Sequence, residues 1–445
     1  MSLSKETIIL GGGISGLVAA FRLQQKYPQH KIKLIESNEK AGGWINSIEK
    51  DGFILEQGPR GIRPKNNGTI FLKLVEDLGL MDKLISSENS SKKRYIYSEK
   101  LLPFPHSFST ALTSPLTAIL LEAIRKDWKV SSFPLEEESV ASFSNRHFGE
   151  NFTQKILQPV VSGIWAGDVE NLSASAVFPY LTVLEQKEGS LLRSWLKRKK
   201  NKKEPWIYSE SLKKAALVSF DKGLQVLINK ITSHLENNIS LSEKVLNIQK
   251  NDTGYLVKTD KKDHTCSHLI SALPSHVLAP LIDSFDPLTS QKLRQINYAP
   301  MAIVSFLFDS LVHKENAFGY LNHQKNFQEI LGVMFNEKIF ASHSPQGQQA
   351  ITVMIGGARF NNFSEHTEDD FIKIATMALE SHLLIKQEPS MAFCKKITKA
   401  IPQFNIGYPK FSSKLFSNFH LVGNYIAGVS VINTIKQAEE LIANI

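Results

Sequence analysis

The stretch from Thr7 to Glu36 constrains what this chain can fold into more than any other. Thr7-Ile8-Ile9-Leu10 is a short apolar run that predicts a strand, and Gly11-Gly12-Gly13-Ile14-Ser15-Gly16 follows with glycines spaced G-x-G-x-x-G. Leu17 to Gln25 predicts a helix, the chain turns at Pro28, and Lys31 to Ile35 predicts a second strand ending on Glu36. Each part has a physical task. Gly11 permits a tight turn, Gly13 lets backbone approach a pyrophosphate, and Gly16 lets the helix pack closely on its strand. Phosphates would meet the helix start at Ile14 and Ser15, where unpaired N–H groups and the positive end of the dipole favour an anion. Glu36 would accept from ribose hydroxyls. A glycine triplet alone is a weak signal, but strand, helix, second strand and acid in register imply a bound dinucleotide.

Length and composition bound the rest. A chain of 445 residues, 42% of them hydrophobic, can bury a sizeable core, and its length suggests about three structural units. The 52 basic residues against 43 acidic ones give a net charge of +9, which suits an anionic substrate or an anionic membrane surface. Nucleic acid is not expected as a partner, because zinc-finger spacing and aromatic-basic ribonucleoprotein motifs are missing. The two cysteines, Cys266 and Cys394, stand alone, which argues against a disulfide framework and for a reducing compartment. The first strand follows the initial methionine so closely that no signal peptide is expected, and no apolar run approaches the roughly 20 residues that span a bilayer. The expected location is the cytoplasm, with peripheral contact to the inner face of a membrane admitted. A second copy of the chain is admitted as a partner.

Past Glu36, the segment Ser37-Asn38-Glu39-Lys40-Ala41-Gly42-Gly43-Trp44 brings a second glycine pair, and Lys40 is placed to meet a phosphate or the adenosine edge. The pattern E-x-x-x-[RK]-x-G-G resembles the second signature of the FAD-binding, amine-oxidase-like flavoproteins, which points to FAD rather than NAD. Next comes Gly58-Pro59-Arg60-Gly61-Ile62-Arg63-Pro64, a rigid, positively charged loop with backbone N–H groups available to an anion. It resembles the hallmark loop of the oxygen-dependent porphyrinogen oxidases of haem synthesis, in which it lies beside the flavin.

That resemblance extends from Thr7 to Leu441. It includes Val160-Ser162-Gly163-Ile164-Trp165-Ala166-Gly167-Asp168, Phe220-Gly223-Leu224 and Ile401-Pro402-Gln403-Phe404, while Tyr408 stands where many members have histidine. By resemblance, Arg94 meets a propionate of the tetrapyrrole, the Gly163 carbonyl accepts from a pyrrole N–H, and Leu321 and Phe340 sandwich a pyrrole ring. By the same resemblance, the backbone of Val245 would contact the adenine. Each also has a plainer reading: a solvated arginine, a glycine at a helix C-terminus, or apolar core. Gly423 and Asn424 end the last strand, and Val429, Ser430 and Val431 open the final helix, whose N-terminus would face the flavin N1 and C2 carbonyl.

The expected architecture is α/β (α+β overall): a Rossmann-like FAD-binding domain, a mixed-sheet substrate domain and a helical, membrane-facing domain. The FAD domain takes 1–86, 220–285 and 416–445, the substrate domain 87–102, 206–219 and 286–415, and the helical domain 103–205. The basic run Lys197 to Lys203 would rest on anionic lipid or be solvated. The expected function is FAD-dependent oxidation of protoporphyrinogen IX, or of coproporphyrinogen III, with O2 as acceptor and hydrogen peroxide as product. Beyond the flavin no catalytic residue is expected, and no metal. A carotenoid desaturase, an amine oxidase and a non-catalytic flavoprotein are the competing readings.

Overall fold

The strand Thr7–Leu10 (β1) is buried along its whole length, as expected of a parallel strand covered on both faces. It pairs in parallel with Ile32–Ile35 (β2) on one side and with His268–Ser271 on the other. The sheet runs Lys414–Phe416, Phe419–Leu421, His268–Ser271, β1, β2, Ile239–Ser240. Between β1 and β2 lies the helix Ile14–Lys26 (α1), which buries Leu17, Val18, Phe21 and Leu23. On its polar side Arg22 reaches Asp77 and Glu439, both at 2.5 Å, tying α1 to the helices Thr69–Asp77 and Val431–Asn444. A three-stranded antiparallel sheet, Val245–Asn251, Gly254–Thr259 and Asp263–Cys266, follows on from the strand Ile239–Ser240. The computed structural model describes residues 6–105, 107–131, 136–197, 205–323, 327–416 and 418–445.

These elements belong to one compact unit, Met1–Ser86 with Leu217–Asn297 and Pro409–Ile445; Ser87–Ala216 with Tyr298–Tyr408 form a second. The second is built on a seven-stranded sheet in the order Met391–Pro402, Tyr298–Phe308, Gln349–Gly356, Ile330–Phe335, Gly319–Asn322, Tyr95–Ser98, Lys100–Pro103. Its strands are antiparallel except where Gly319–Asn322 meets Tyr95–Ser98, so the sheet is mixed, as expected. Alternate residues Val304, Phe306 and Phe308 pack with Phe335, Ile351 and Val353 against Phe371, Ala375 and Ala378 of the helix Glu368–Leu383. Residues 103–205, read from sequence as a helical domain, pack onto this sheet through Leu116 and Ile156, which meet Ile96.

Residues Thr69–Asp77 form a helix after a 3-10 turn at Asn66–Gly68. One boundary differs from the sequence reading. The last strand stops at Leu421 because Gly423, at φ +142°, redirects the chain into a helical turn at Asn424–Ala427. Among the described residues no helix is long and apolar enough to cross a membrane. Arg198 to Lys203, most of the basic run, lie outside the described residues. Both thiols are held protonated: burial pushes Cys266 and Cys394 up to about 12.

A buried polar knot joins the helices of the second unit. Asp127, at the end of Leu116–Trp128, accepts from the Ser190 hydroxyl at 2.8 Å and from the amides of Leu191 and Leu192 at 3.1 and 2.9 Å, so it caps the helix Leu191–Lys197. His147 Nδ1 lies 2.6 Å from the same carboxylate, and His147 Nε2 lies 3.2 Å from Glu185. Arg146 pairs with Glu185 at 2.6 Å and with Glu138. Burial pushes the Asp127 carboxyl up, but hydrogen bonds from His147, Leu192, Ser190 and Leu191 outweigh it and hold the pKa below its ordinary value. An acid with a depressed folded pKa contributes stability above its unfolded pKa and loses it as pH falls through the folded one. Asp127→Asn should therefore cost about 2–4 kcal/mol at neutral pH. The difference from wild type should shrink as pH falls below the ordinary carboxylate range; denaturant melts at neutral and at acid pH check it, and an equal deficit at both would contradict it.

Candidate functional site

Three backbone segments meet at the C-terminal end of β1. The Gly11 amide donates to the Ile35 carbonyl and the Gly42 amide to the Gly12 carbonyl, each at 2.8 Å, and Gly13 forms a bridge with Gly42. The second glycine pair is thus laid directly on the first. At Gly16 a Cβ would sit 2.0 Å from the Gly11 carbonyl oxygen, a backbone atom that cannot yield, so a larger residue would lever α1 off β1. At Gly13 the Cβ position faces open space. The first turn of α1 carries neither a side-chain cap nor an acidic residue. Its N–H groups at Ile14 and Ser15 are therefore left for an anion brought from outside the chain. These features fit the pyrophosphate of a dinucleotide.

Glu36 is buried, and its carboxylate is already oriented. Oε2 accepts from the Gly12 amide at 2.6 Å, while Oε1 accepts from the Asn38 amide at 2.9 Å and the Asn38 side chain at 2.6 Å. The Ser37 hydroxyl also donates to Oε1, at 3.3 Å, so it is Oε2, with Gly12 as its one donor among the described residues, that keeps a lone pair for a ribose hydroxyl. Gly12 and Asn38 are site residues that the sequence reading passed over. Gly12 looked interchangeable within a glycine triplet, but Asn38, two residues after the acid, carried a legible signal for a local turn. Lys40, Gly43 and Trp44 stand exposed beside this cradle.

The loop from Gly58 to Pro64 is fixed by reciprocal hydrogen bonds between Ile62 and Val218, at 2.9 and 2.8 Å. Gly58 and Pro59 are half-buried, whereas Arg60 is buried and lies close to a third missed residue, Glu56. Burial brings Arg60 down to about 10, with the charge of Glu56 opposing that fall. Glu56 is itself pushed up by burial while it accepts from the Leu224 amide and the Ser47 hydroxyl, both at 2.8 Å. The Arg60 charge is thus shared with an internal acid. Val245 begins a strand opposite Thr259 and is half-buried. At the C-terminal end, Gly423 donates to Gln437 at 2.9 Å, and Asn424 and Val429 are half-buried. The helix expected to open near Val431 does so, but the Ser430 hydroxyl already accepts from the Asn433 amide at 3.1 Å. That leaves the first amides, Val431 and Ile432, for another acceptor.

In the second unit, Gly163 lies inside the helix Gln158–Trp165, which follows a π turn at Thr153–Leu157. The helix ends at Ala166 in the left-handed region, so Gly163 is not the terminating glycine. It sits in the last turn, where helix carbonyls lack an in-helix partner. Leu321 is half-buried against it: a Cβ on Gly163 would come within 2.3 Å of Leu321 Cδ2. The Trp165-Ala166-Gly167 corner is pinned from below by Gln403, whose amide donates to the Trp165 carbonyl at 2.9 Å, and by Ala358, which donates to the Ala166 carbonyl at 2.7 Å. Tyr408 stacks on Phe404, ring centroids 4.4 Å apart, and burial raises its hydroxyl pKa. Phe340 is fully buried with its ring 5.0 Å from His343, an environment unlike that of Leu321. Arg94 is exposed with its guanidinium 4.7 Å over the Phe318 ring.

The Gly163–Leu321 contact is testable by itself. Gly163→Ala overpacks it and should cost about 1–3 kcal/mol. Because the obstacle is the far end of a flexible side chain, adding Leu321→Ala should recover part of that loss. Denaturant melts of both single variants and the double variant should give a coupling of about 0.5–3 kcal/mol, and additive losses would contradict the contact.

Comparison with known proteins accounts for this arrangement. The model of the flavin-containing amine oxidoreductases matches residues 14–436. Protoporphyrinogen oxidase 1 of spinach is 29% identical, covering 99% of this chain and 84% of its own length. Coproporphyrinogen III oxidase of Bacillus subtilis is 22% identical, covering 99% of this chain and 97% of its own. A solved structure of a candidate protoporphyrinogen oxidase from Exiguobacterium sp. 255-15 superposes with a TM-score of 0.82 at 22% identity, covering 99% of this chain and 98% of that one, and so has the same fold. The glycine cradle, the buried acid at the end of β2 and the match across nearly the whole chain agree: the chain belongs to the flavin-containing amine oxidoreductase family and is an FAD-dependent oxidase.

Proposed function

We propose that this oxidase acts on a porphyrinogen of haem biosynthesis, with protoporphyrinogen IX as its substrate. The observation that carries the reading is the end-to-end likeness to relatives named protoporphyrinogen oxidase, at higher identity than to the relative named coproporphyrinogen III oxidase. The Gly58 to Pro64 loop supports it. Removing hydride from a meso carbon needs an electron acceptor, an apolar slot and cations for the propionates, but no protein nucleophile. Bound FAD supplies the two-electron acceptor. Leu321 offers apolar surface, the last-turn carbonyl of Gly163 an acceptor for a pyrrole N–H, and Arg94 a cation held over Phe318. Aromatising the ring removes six electrons, so three two-electron rounds are required, with O2 as acceptor and hydrogen peroxide as product.

The test is turnover of the purified flavoprotein on both porphyrinogens, read by porphyrin fluorescence alongside peroxide. Protoporphyrinogen should have the larger kcat/KM, with three peroxides per porphyrin. Preference for coproporphyrinogen would move the assignment to the alternative substrate, and turnover of neither would remove the porphyrinogen reading. Arg94→Ala should raise KM more than it lowers kcat, because a propionate contact lies away from the reacting carbon and is similar in ground and transition states. The site is exposed and screened, so the rise should be roughly threefold to tenfold. An unchanged KM would exclude Arg94 from the site.

Peripheral association with an anionic membrane on its cytoplasmic side is part of the proposal. Leu121, Ile124 and Trp128 recur at helical spacing on one exposed face, beside exposed Arg125 and Lys129, and Trp195 and Leu196 are exposed on the neighbouring helix. Binding to anionic vesicles should weaken as salt screens the basic residues. Protein that stays in the supernatant with such vesicles at low salt would contradict it.

A further inference from the structure

Behind Glu36 lies another buried acid, which makes no contact in the glycine cradle. Glu243 sits on the connection between the strands Ile239–Ser240 and Val245–Asn251, directly after Ser242, which is held at φ +52°. Its carboxylate is fully enclosed. Oε1 accepts from the Thr259 hydroxyl at 2.8 Å and lies 2.6 Å from His264 Nε2; both partners belong to the three-stranded sheet. Burial alone would raise the carboxyl, but hydrogen bonds from Ser240, His264 and Thr259 outweigh it and bring the pKa to about 2, so the group stays ionised.

Enclosing a charge is costly unless partners offset it, and the main chain around Glu243 indicates what the arrangement maintains. The Glu243 amide donates to the Glu36 carbonyl, the Ser242 amide to the Asn38 carbonyl, and the Glu36 amide to the Ser240 carbonyl, each at 2.9 Å. The acid that grips Gly12 and the asparagine that orients it are therefore both held by residues 240–243. The strand Ile239–Ser240 is only two residues long and pairs with β2 alone, too little to fix this connection by itself. The Lys244 main chain exchanges hydrogen bonds with Asp260 at 2.9 and 3.0 Å and Lys261 donates to the Leu241 carbonyl at 3.0 Å, but these contacts lie at the exposed rim; the anchor enclosed beneath Glu36 is the Glu243 side chain, held in the neighbouring sheet.

We propose that Glu243, held by Thr259 and His264, is a positioning residue for the adenosine half of FAD, keeping the end of β2 in place so that the Glu36 carboxylate stays directed at the ribose. It acts through Glu36 and Asn38 and touches no part of the cofactor itself. The inference rests on Glu36 as the ribose acid and is independent of which substrate the enzyme oxidises.

The experiment uses the full-length chain stripped of flavin, titrated separately with FAD, ADP and FMN, with the melting temperature of the flavin-free protein recorded for each variant. Glu243→Ala should weaken FAD and ADP roughly tenfold while FMN changes by less than about twofold. Glu243→Gln, which keeps an acceptor for Thr259 and His264, should recover most of the loss. A merely structural role would weaken FMN as much as ADP and lower the melting temperature in parallel, and that result overturns the proposal. Glu36→Ala separates the two layers. If it leaves ADP binding intact, Glu36 is not the ribose acid and the proposal falls with it; if it weakens ADP while Glu243→Ala does not, the proposal alone falls. Should Glu243→Ala fail to fold, His264→Phe, which removes one anchor, must show the same ADP-selective loss, and unchanged ADP binding in that variant overturns the proposal.

Discussion

The hydrogen bond from the Gly12 amide to the Glu36 carboxylate, 2.6 Å long, closes the first unit around its cofactor end. It joins the turn leaving β1 to the end of β2 and fixes an acid that would otherwise swing in solvent. The Gly42 amide then seats the second glycine pair on the same turn, and the close approach of Gly16 to Gly11 sets the distance of α1 from the sheet. Opening a buried charge-assisted bond of this kind leaves an acceptor without its donor, so the segments that meet there have little freedom to move separately.

The second unit depends on a comparable device at another scale. Gln403 and Ala358 hold the Trp165-Ala166-Gly167 corner onto strands far away in sequence, and Gln158 fastens it from inside the helix by accepting from the Val169 amide at 3.1 Å. Gly163 is presented at the surface of that fixed corner with Leu321 packed against it. The contact therefore inherits its geometry from polar bonds beneath it and not from the apolar pair alone.

What could be read from the sequence was what is local. The strand, glycine turn, helix, strand and acid from Thr7 to Glu36 carry their own periodicity and turn chemistry, and they fold as that chemistry dictates. The central strands of the second unit, Tyr298–Phe308 and Gln349–Gly356, are apolar in sequence and buried along most of their length. What escaped was non-local: Glu56 caps Leu224 and Glu243 meets His264, pairs that no spacing rule connects. Phe340 shows a different limit. The family resemblance implied a ligand contact, and whether a large apolar side chain lies against a ligand or inside a core depends on packing that the sequence does not display. For Gly163 the plainer of its two readings, a glycine ending the helix, gives way because the terminus is Ala166.

The two thiols bear on how long such an enzyme lasts. Burial pushes Cys266 and Cys394 up to about 12, so at neutral pH both are held as thiols. Peroxide attacks the thiolate, and the rate of sulfenic acid formation falls with the thiolate fraction. A catalyst that releases peroxide at each turnover, as proposed, would thus carry its only two sulfhydryls in the form least open to its own by-product. Oxidative wear would be expected to fall first on the thioethers of its methionines.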